Sequence, residues 1–359
     1  MLVAITGGTG FVGSHTVAQA RAAGHRVRML IRSPEKAARM LAMFDLADDD
    51  GIELVTADLD DRAAMAAGLD GCDAVIHVAS LFSLDPRDGA EMNRLNPAAV
   101  DTIITESLAR GLDPIIDVST LGVYQPPPAD FVTADLPPTA GCGPYTRSKI
   151  AAEHIARRAQ DEGAPVVTIY PGGIFGPRDP NPGLSDSVAV VRDIMRWRLP
   201  SIPRGAFMPF VDVRDVAALC IGALEPGRGP RRYLLAGHQT ELRGIVRMAM
   251  ELTGRRLPLL PAPRSVLTAS GRVADALAVR LNRSLPVSAE TVDLMAVGLD
   301  HPHVVYDGSA ALQDYGLPAY DSRTTLVDTL LWLVEAGHLA PKHIGTLADQ
   351  VTPSGSTPR

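Results

Sequence analysis

The chain has 359 residues, of which 46% are hydrophobic and 21% charged, so it can bury the core of one large or two closely packed domains. A net charge of −7 argues against a nucleic-acid binder, whose phosphate contacts require clustered Lys and Arg. The three cysteines are isolated, which predicts neither disulfides nor a metal knuckle. The first apolar run is too short for a signal peptide, and no apolar stretch is long enough to span a bilayer. We therefore predict a soluble cytoplasmic protein.

The first predicted element is a short apolar strand, Leu2–Ile5, which runs directly into the glycine-rich segment Thr6–Gly13. The segment contains the Gly-x-Gly-x-x-Gly dinucleotide fingerprint, and a helix predicted over Phe11–Ala23 follows it. Backbone N–H groups at that helix N-terminus would face a pyrophosphate. A tight strand–helix turn without a ligand is the alternative. The residues expected to contact the cofactor here are Gly7, Thr9, Gly10, Phe11, Val12 and Gly13.

Strands and helices then alternate as far as residue 171. The predicted strands are Arg26–Ile31, Ile52–Asp58, Ala74–Ala79, Pro114–Thr120 and Pro165–Tyr170. The predicted helices are Glu35–Leu41, Arg62–Leu69, Gly89–Arg110 and Tyr145–Asp161. This alternation predicts an α/β fold with a doubly wound parallel Rossmann sheet, and the almost wholly apolar strands fit a sheet covered on both faces.

Beyond residue 171 the pattern loosens, because Gly and Pro crowd residues 171–183 and 200–209. A late strand, Arg231–Ala236, precedes helices over Glu241–Thr253, 264–298 and Leu326–Ala336. We therefore predict a Rossmann domain, a smaller and mostly helical substrate-binding region, and a disordered tail. Their bounds are 1–171 with 210–236 returning to it, 172–209 with 237–344, and 345–359.

Tyr145 and Lys149 form the candidate catalytic pair. On a helix they lie one turn apart and share a face. A phenol with a pKa near 10 is a poor acid or base at neutral pH, and an adjacent ammonium favours the phenolate. A hydroxyl at the end of a strand near the switch point of the sheet would complete the set, and Thr120 is the first candidate with Ser119 as the second. The alternative role of Thr120 is to cap the following turn.

These motifs together resemble the extended short-chain dehydrogenase/reductases of the epimerase/dehydratase superfamily, in particular the dihydroflavonol-reductase-like and 3β-hydroxysteroid-dehydrogenase-like members. The resemblance runs from residue 1 to about 338. It rests on Thr6–Gly13, Asp58-Leu59, His77–Ser80, Asn96, Val118–Tyr124, Tyr145 with Lys149, Tyr170–Pro177 and Phe210–Ala217.

By that resemblance, Tyr145 is the catalytic acid/base, Lys149 its electrostatic partner and a holder of the nicotinamide ribose, and Thr120 the hydroxyl on the substrate oxygen. Asn96 would have a structural or relay role. The remaining cofactor contacts implied are Asp58, Leu59, Ala79, Ser80, Tyr170, Pro171 and Gly173.

The predicted cofactor is NADP(H), with NAD possible. The second strand ends without the carboxylate that accepts the adenosine ribose hydroxyl in NAD-binding folds, and Arg32 stands where a 2′-phosphate would lie. Ser33 or Lys36 would assist. A solvated surface arginine is the alternative.

We predict hydride transfer to or from a carbonyl or secondary alcohol of a bulky small molecule, whose pocket would have apolar walls from Phe82, Leu84, Tyr124 and Phe175 among others. The alternative is a nucleotide-sugar epimerase or dehydratase with tightly held NAD, for whose pyrophosphate Arg178 and Arg204 are candidates. A non-catalytic dinucleotide sensor is disfavoured because the tyrosine, lysine and threonine are all present. A homodimer is an expectation by analogy with the family. Residues 264–283 suit a helix that covers the pocket or one that lies on a membrane surface.

Overall fold

The computed structural model describes residues 1–47, 50–83, 85–198, 202, 205–259, 264–281 and 289–351. Its centre is a seven-stranded sheet in the order β10-β7-β5-β4-β1-β2-β3, and all its strand pairs are parallel. The strands are β1 Leu2–Thr6, β2 Arg26–Ile31, β3 Ile52–Thr56, β4 Ala74–His77, β5 Ile115–Val118, β7 Val166–Pro171 and β10 Arg231–Leu235. The predicted doubly wound parallel sheet is confirmed.

Helices cover both faces of this sheet. Those of the first 161 residues are α1 Phe11–Ala22, α2 Pro34–Met43, α3 Arg62–Gly68, α4 Gly89–Ala109 and α5 Pro144–Asp161. On one face Ile116 and Val118 join the apolar core beneath α1 and α2, and on the other Val75 and Ile115 join the core beneath α3, α4 and α5. Because consecutive strand residues point to opposite faces, the strands must be apolar almost throughout.

The chain order reverses between β1 and β4, which are neighbours in the sheet although two strands separate them in sequence. Such a reversal leaves a crevice at the carboxyl ends of the two strands, where ligands of open α/β sheets bind. The glycine-rich segment follows β1, so the topology places it in this crevice.

The later part of the chain holds a second core. Its helices are α6 Asp186–Met195, α7 Val213–Gly222, α8 Leu242–Thr253, α9 Arg264–Leu281, α10 Ala289–Asp300, α11 Ser309–Tyr315 and α12 Ser322–Glu335. Side chains of α6, α8 and α12, such as Val188, Ile245 and Leu330, pack together with Phe175 and Phe210. The helix α7 packs against α1 of the first layer.

Several elements differ from the sequence-based expectation. The Gly- and Pro-rich segments 171–183 and 200–209 contain β8 and the start of β9, which form a second sheet in the order β11-β9-β8, and β6 pairs with β12. These strands are β6 Phe131–Val132, β8 Gly173–Phe175, β9 Phe207–Asp212, β11 His238–Glu241 and β12 Val305–Tyr306. They were missed because short strands among Gly and Pro carry little periodicity and gain their stability from distant partners.

The tail is also more ordered than predicted in its first part. Residues Gly345–Gln350 form a 3₁₀-helix, and Leu347 is buried in the core of the later helices. The prediction of disorder for residues 352–359 lies outside the described residues. Within the described ranges, no helix has the length and apolar character that a bilayer crossing requires.

Candidate active site

The glycine-rich turn is shaped by close backbone approaches. Gly7 has φ of +70°, and a Cβ there would lie 2.7 Å from the amide nitrogen of Ala79. A Cβ on Gly13 would lie 2.1 Å from the carbonyl oxygen of Gly7. A Cβ on Gly10, by contrast, would have only that same oxygen within 4 Å, at 3.3 Å. Glycine is thus needed at Gly7 and Gly13 by the protein itself, whereas the space above Gly10 is open.

The N-terminus of α1 has the features of an anion-binding site. Gly10 is the residue that precedes the helix, and no side chain caps the first turn, which also carries no acidic residue. The first N–H groups of a helix have no partner within it, and together with the helix dipole they favour a negatively charged ligand. This end is therefore suited to a diphosphate.

Thr6 fastens the turn to the neighbouring strand. Its hydroxyl oxygen accepts hydrogen bonds from the amides of Val78 and Ala79, both at 3.2 Å, and lies 2.7 Å from Nδ1 of His77. His77 is buried, as expected of a packed histidine, and its burial followed by the nearby charge of Lys149 lowers its pKa to about 3. Sequence reasoning gave Thr6 no separate role, although it stands inside the motif.

The other predicted cofactor residues lie at the carboxyl ends of strands. Arg32 follows β2, Asp58 and Leu59 lie two and three residues after β3, and Ala79 and Ser80 lie just after β4. Asp58, Leu59, Ala79 and Ser80 are half-buried, and Arg32 is exposed. Among the described residues, the Arg32 guanidinium has no hydrogen bond or ion pair. Pro171 ends β7, and Gly173 begins β8.

Tyr170 differs from the prediction. Its side chain is fully buried, and its hydroxyl donates to Oε1 of Glu153 at 2.5 Å. The ring also packs against Tyr124, with centroids 5.3 Å apart. Tyr170 therefore offers a cofactor its backbone at most, because its side chain belongs to the core.

Tyr145 is the second residue of α5 and is half-buried. Its ring stands edge-on to that of Phe82, with centroids 4.6 Å apart. Burial raises the pKa of Tyr145 to about 12, the hydrogen bond with the Thr120 side chain opposes that rise, and the charge of Glu290 adds to it. The structure thus places the predicted threonine hydroxyl close enough to the predicted tyrosine to influence its pKa.

Thr120 also has the capping role that was its alternative. Its hydroxyl oxygen accepts a hydrogen bond from the amide of Gly122 at 3.2 Å, at the start of the short 3₁₀-helix Leu121–Tyr124. A hydroxyl can accept one such bond and still donate. Capping and contact with Tyr145 are therefore compatible. Ser119, the second candidate, is buried.

Lys149 is 4% exposed, and its ammonium donates to the carbonyl oxygen of Val118 at 3.2 Å. This bond holds the charge at the carboxyl end of β5, directly before Ser119 and Thr120. Below it lies Asp117, which is buried with one carboxyl oxygen lacking a hydrogen bond. Burial raises the pKa of Asp117 to about 6 despite the opposing effect of Lys149.

Asn96 ties the loop after β4 to the helix of Tyr145. Its amide nitrogen donates to the Leu81 carbonyl and the Ser148 hydroxyl, both at 2.9 Å, and its oxygen accepts from the Leu81 amide at 2.8 Å. The Ser148 hydroxyl in turn donates to the carbonyl of Tyr145 at 2.7 Å. Since Phe82 directly follows Leu81, this network sets the position of Phe82 relative to Tyr145.

Glu290 was not predicted. This residue of α10 is 5% exposed, and its carboxylate accepts from the amides of Tyr145 and Thr146 at 3.2 and 3.0 Å. No sequence signal marks it, because the partners are 145 residues apart in the chain.

Two of the predicted pocket walls are instead core residues. Tyr124 and Phe175 are at most 1% exposed, and Phe175 stacks on Phe210, whereas Phe82 is 46% exposed. Arg178 is exposed and lies over the ring of Phe44. Leu84 and Arg204 lie outside the described residues. Within the described part of the chain, no group of three or more His, Cys, Asp or Glu has metal-site geometry.

A nucleotide-binding sheet with a tyrosine, a threonine and a lysine around its switch point is the arrangement of a short-chain dehydrogenase/reductase. The family model described as "NAD dependent epimerase/dehydratase family" matches residues 3–236. The chain belongs to this family and is an oxidoreductase of the extended short-chain dehydrogenase/reductase type.

Relatives align over nearly the whole chain. Sterol demethylase protein B of Methylococcus capsulatus is 26% identical, over 94% of this chain and 99% of its own length. Cinnamoyl-CoA reductase 1 of Arabidopsis thaliana is 25% identical, over 97% of this chain and 93% of its own length. The solved UDP-glucose-4-epimerase of Stenotrophomonas maltophila, which contains NAD, superposes with a TM-score of 0.73 at 20% identity, over 94% of this chain and 99% of that one. This last similarity shows that the two proteins share a fold.

Proposed function

We propose that this chain is an NADP(H)-dependent oxidoreductase that transfers a hydride to or from the carbonyl or secondary alcohol of a bulky small molecule, with Tyr145 as acid/base. The observation that carries the proposal is the position of the Thr120 hydroxyl, close enough to the phenol of Tyr145 to lower its pKa, beside the switch-point crevice of the sheet. The buried Lys149 lies one helical turn away from the tyrosine.

The proposed roles follow from the side-chain chemistry. A bound nicotinamide supplies the hydride donor or acceptor. In the reducing direction Tyr145 donates its phenolic proton to the carbonyl oxygen, and Thr120 donates a hydrogen bond to the same oxygen as negative charge develops there. Burial keeps the phenol protonated before reaction, since its pKa is raised to about 12. The ammonium of Lys149 favours the phenolate that remains, and solvent reprotonates it.

The residues around the glycine turn fit a dinucleotide. The uncapped N-terminus of α1 and the open space above Gly10 suit a diphosphate. Arg32, exposed and without a partner among the described residues, suits a 2′-phosphate beyond the end of β2, where no carboxylate stands to select a ribose hydroxyl. These features support NADP(H) over NAD(H).

Arg32→Ala tests the choice of cofactor. We expect NADPH affinity to fall about tenfold or more while NADH affinity stays within about twofold, because only NADPH presents the phosphate. Arg39→Ala, which removes an equal charge from the exposed face of α2, is the control and should leave both affinities unchanged. Wild-type binding of NADH at least as tight as that of NADPH would overturn this part of the proposal.

An apolar contact beside Tyr145 supports the proposed class of substrate. Phe82 lies against the ring of Tyr145 and is largely exposed, so it offers an apolar wall beside the reacting group. The names of two relatives, a sterol demethylase protein and a cinnamoyl-CoA reductase, are consistent with a bulky substrate that has an apolar part. Because the fold resembles that of a UDP-glucose-4-epimerase, the experiment also tests the nucleotide-sugar alternative.

The test is NADPH consumption measured with a panel of steroid and aromatic ketones and, separately, with UDP-glucose. A reductase consumes NADPH with one of the ketones, whereas an epimerase converts the sugar nucleotide without a net change in NADPH. Tyr145→Phe should abolish turnover and leave NADPH affinity within about twofold. Tyr320→Phe, which removes another phenolic hydroxyl, is the control. Unchanged turnover in Tyr145→Phe would refute the proposed acid/base.

A further inference from the structure

The residue that precedes the helix of Tyr145 supplies no side-chain cap to the first amides, although the Thr146 hydroxyl accepts from the amide of Gly143 at 2.9 Å. The residue before α5 is Gly143, whose hydrogen atom in place of a side chain provides no acceptor, and the first turn contains no acidic residue. The first amides of a helix need partners from elsewhere, since no carbonyl precedes them within the helix. Here the partner comes from another part of the chain.

That partner is the carboxylate of Glu290 on α10. Its oxygens accept from the amide of Tyr145 at 3.2 Å and from that of Thr146 at 3.0 Å, and the Thr146 hydroxyl lies 3.1 Å from Oε1. Thr146 is fully buried and Glu290 nearly so. A carboxylate at a helix N-terminus is favoured by the amide hydrogen bonds and by the helix dipole.

The local sequence is adapted to this contact. A Cβ on Gly143 would lie 2.3 Å from the carboxyl carbon of Glu290, and its three nearest heavy atoms all belong to that side chain. The φ of Gly143 is −157°, which any residue can adopt. Glycine is therefore required here by the approach of Glu290 and not by the backbone conformation.

A second carboxylate cap joins α9 to α10. The carboxylate of Asp275 accepts from the amide of Ala289 at 3.2 Å, so α9 caps α10 just as α10 caps α5. The helix α9 further packs against the turn Pro86–Asp88, which follows Phe82 by four residues in the chain. Two successive carboxylate caps thus connect the later helices, which are predicted to bind substrate, to the turn that carries Tyr145.

We propose that Glu290 is a positioning residue for the reaction: by capping α5 from α10, it fixes the first turn of the helix and with it the ring of Tyr145 beside Thr120. The inference rests on the proposed function of Tyr145. It assigns to α10 a direct part in the geometry of the acid/base.

Two variants separate positioning from folding. In Glu290→Ala the amides of Tyr145 and Thr146 lose their acceptor, and we expect kcat to fall about tenfold or more while NADPH affinity stays within about threefold. Glu290→Gln retains one acceptor oxygen without the charge and should recover part of kcat. Asp293→Asn, an equal loss of charge at an exposed position three residues along α10, should leave kcat unchanged.

The pH profile adds a readout that a purely structural role would not move. Glu290 raises the pKa of Tyr145, so removal of its charge in Glu290→Gln should move the tyrosine limb of the kcat profile to lower pH. The other charged or titratable groups near this turn are Arg147 and Lys149 on α5, Cys142 before it, Asp293 on α10 and Asp275 on α9. These groups are the same in both enzymes.

The contact itself is tested without activity by thermal unfolding. Gly143→Ala should lower Tm in the wild-type background and lower it much less in Glu290→Ala, because the atoms that crowd the new Cβ are gone. Additive losses would overturn the contact. A kcat for Glu290→Ala within about twofold of wild type, with Tyr145→Phe inactive, would overturn the positioning role and leave the proposed function standing. An active Tyr145→Phe would instead refute the proposed function.

Discussion

The substitution Gly10→Ala distinguishes the role of the glycine-rich turn in folding from its role in binding a ligand. In Gly10→Ala the new Cβ meets only the carbonyl oxygen of Gly7 within 4 Å, at 3.3 Å. The backbone of Gly10, with φ of −92° and ψ of 178°, is one that alanine adopts without strain. The substitution therefore adds little crowding within the protein.

The expected effect on folding is small. Alanine is a poorer residue than glycine before a helix, and the difference is about 0.5–1 kcal/mol. A Tm lower by a few degrees is the corresponding change. The expected effect on cofactor binding is large, because the methyl group projects into the space in front of the N-terminus of α1. Loss of one or two charge-assisted hydrogen bonds from the helix amides costs about 3 kcal/mol, or about 150-fold in affinity.

The assays are thermal unfolding of the unliganded protein and fluorescence titration with NADPH. Two other glycine-to-alanine variants serve as controls. Gly13→Ala places its Cβ 2.1 Å from the Gly7 oxygen, against 3.4 Å for an ordinary contact, so it should lose both stability and affinity. Gly183→Ala has no atom within 4 Å of the new Cβ and should lose neither. NADPH affinity in Gly10→Ala within about threefold of wild type would refute the assignment of this turn to the diphosphate.

Three further predictions concern the buried polar groups. Thr120→Val should lower kcat about 100-fold with little change in NADPH affinity, because the substrate oxygen loses a donor; steady-state kinetics with equal activity would contradict this role. Asp117→Asn should raise the free energy of unfolding at pH 7.5 by about 3 kcal/mol, since a pKa raised from 3.8 to about 6 makes ionisation of the native carboxyl unfavourable; urea unfolding would show no gain if the carboxylate were satisfied. Burial lowers the pKa values of His15 and His77 from 6.5 to about 4 and about 3. Below about pH 6.5 these histidines therefore take up protons in the unfolded chain but not in the native one, and the free energy of unfolding falls with the pH. With Asp117 opposing below pH 6, we expect a net loss of about 2 kcal/mol between pH 7 and 5, and an unchanged urea midpoint would contradict it.

The Rossmann half of the fold was predictable because its signals are local. Apolar runs such as Val166–Ile169 are buried on both sides, and amphipathic helices follow them at regular intervals. Turns of fixed geometry, such as that around Gly7, demand glycine and so appear in the sequence. The strands β8, β9 and β11 were missed because Gly or Pro interrupts the pattern in or beside each of them and because they are stabilised mainly by pairing with segments elsewhere in the chain.

The site was predictable in part for the same reason. Thr120 and Tyr145 were identifiable from residue type and from their places at a strand end and a helix start, and the sheet topology brings them together. The burial of the Tyr170 side chain was not predictable, because strand alternation decides which face a side chain takes, and here that face is the core.

The sequence by itself determined the order of elements, the glycine turn and the candidate groups for proton transfer, since each depends on a few neighbouring residues. The tertiary structure alone decided that Phe82 stands against Tyr145 and that Glu290 caps its helix. These contacts join residues far apart in the chain, and neither a spacing nor a periodicity records them. The first arises when α4 and α5 pack together and the second when α10 packs against the start of α5.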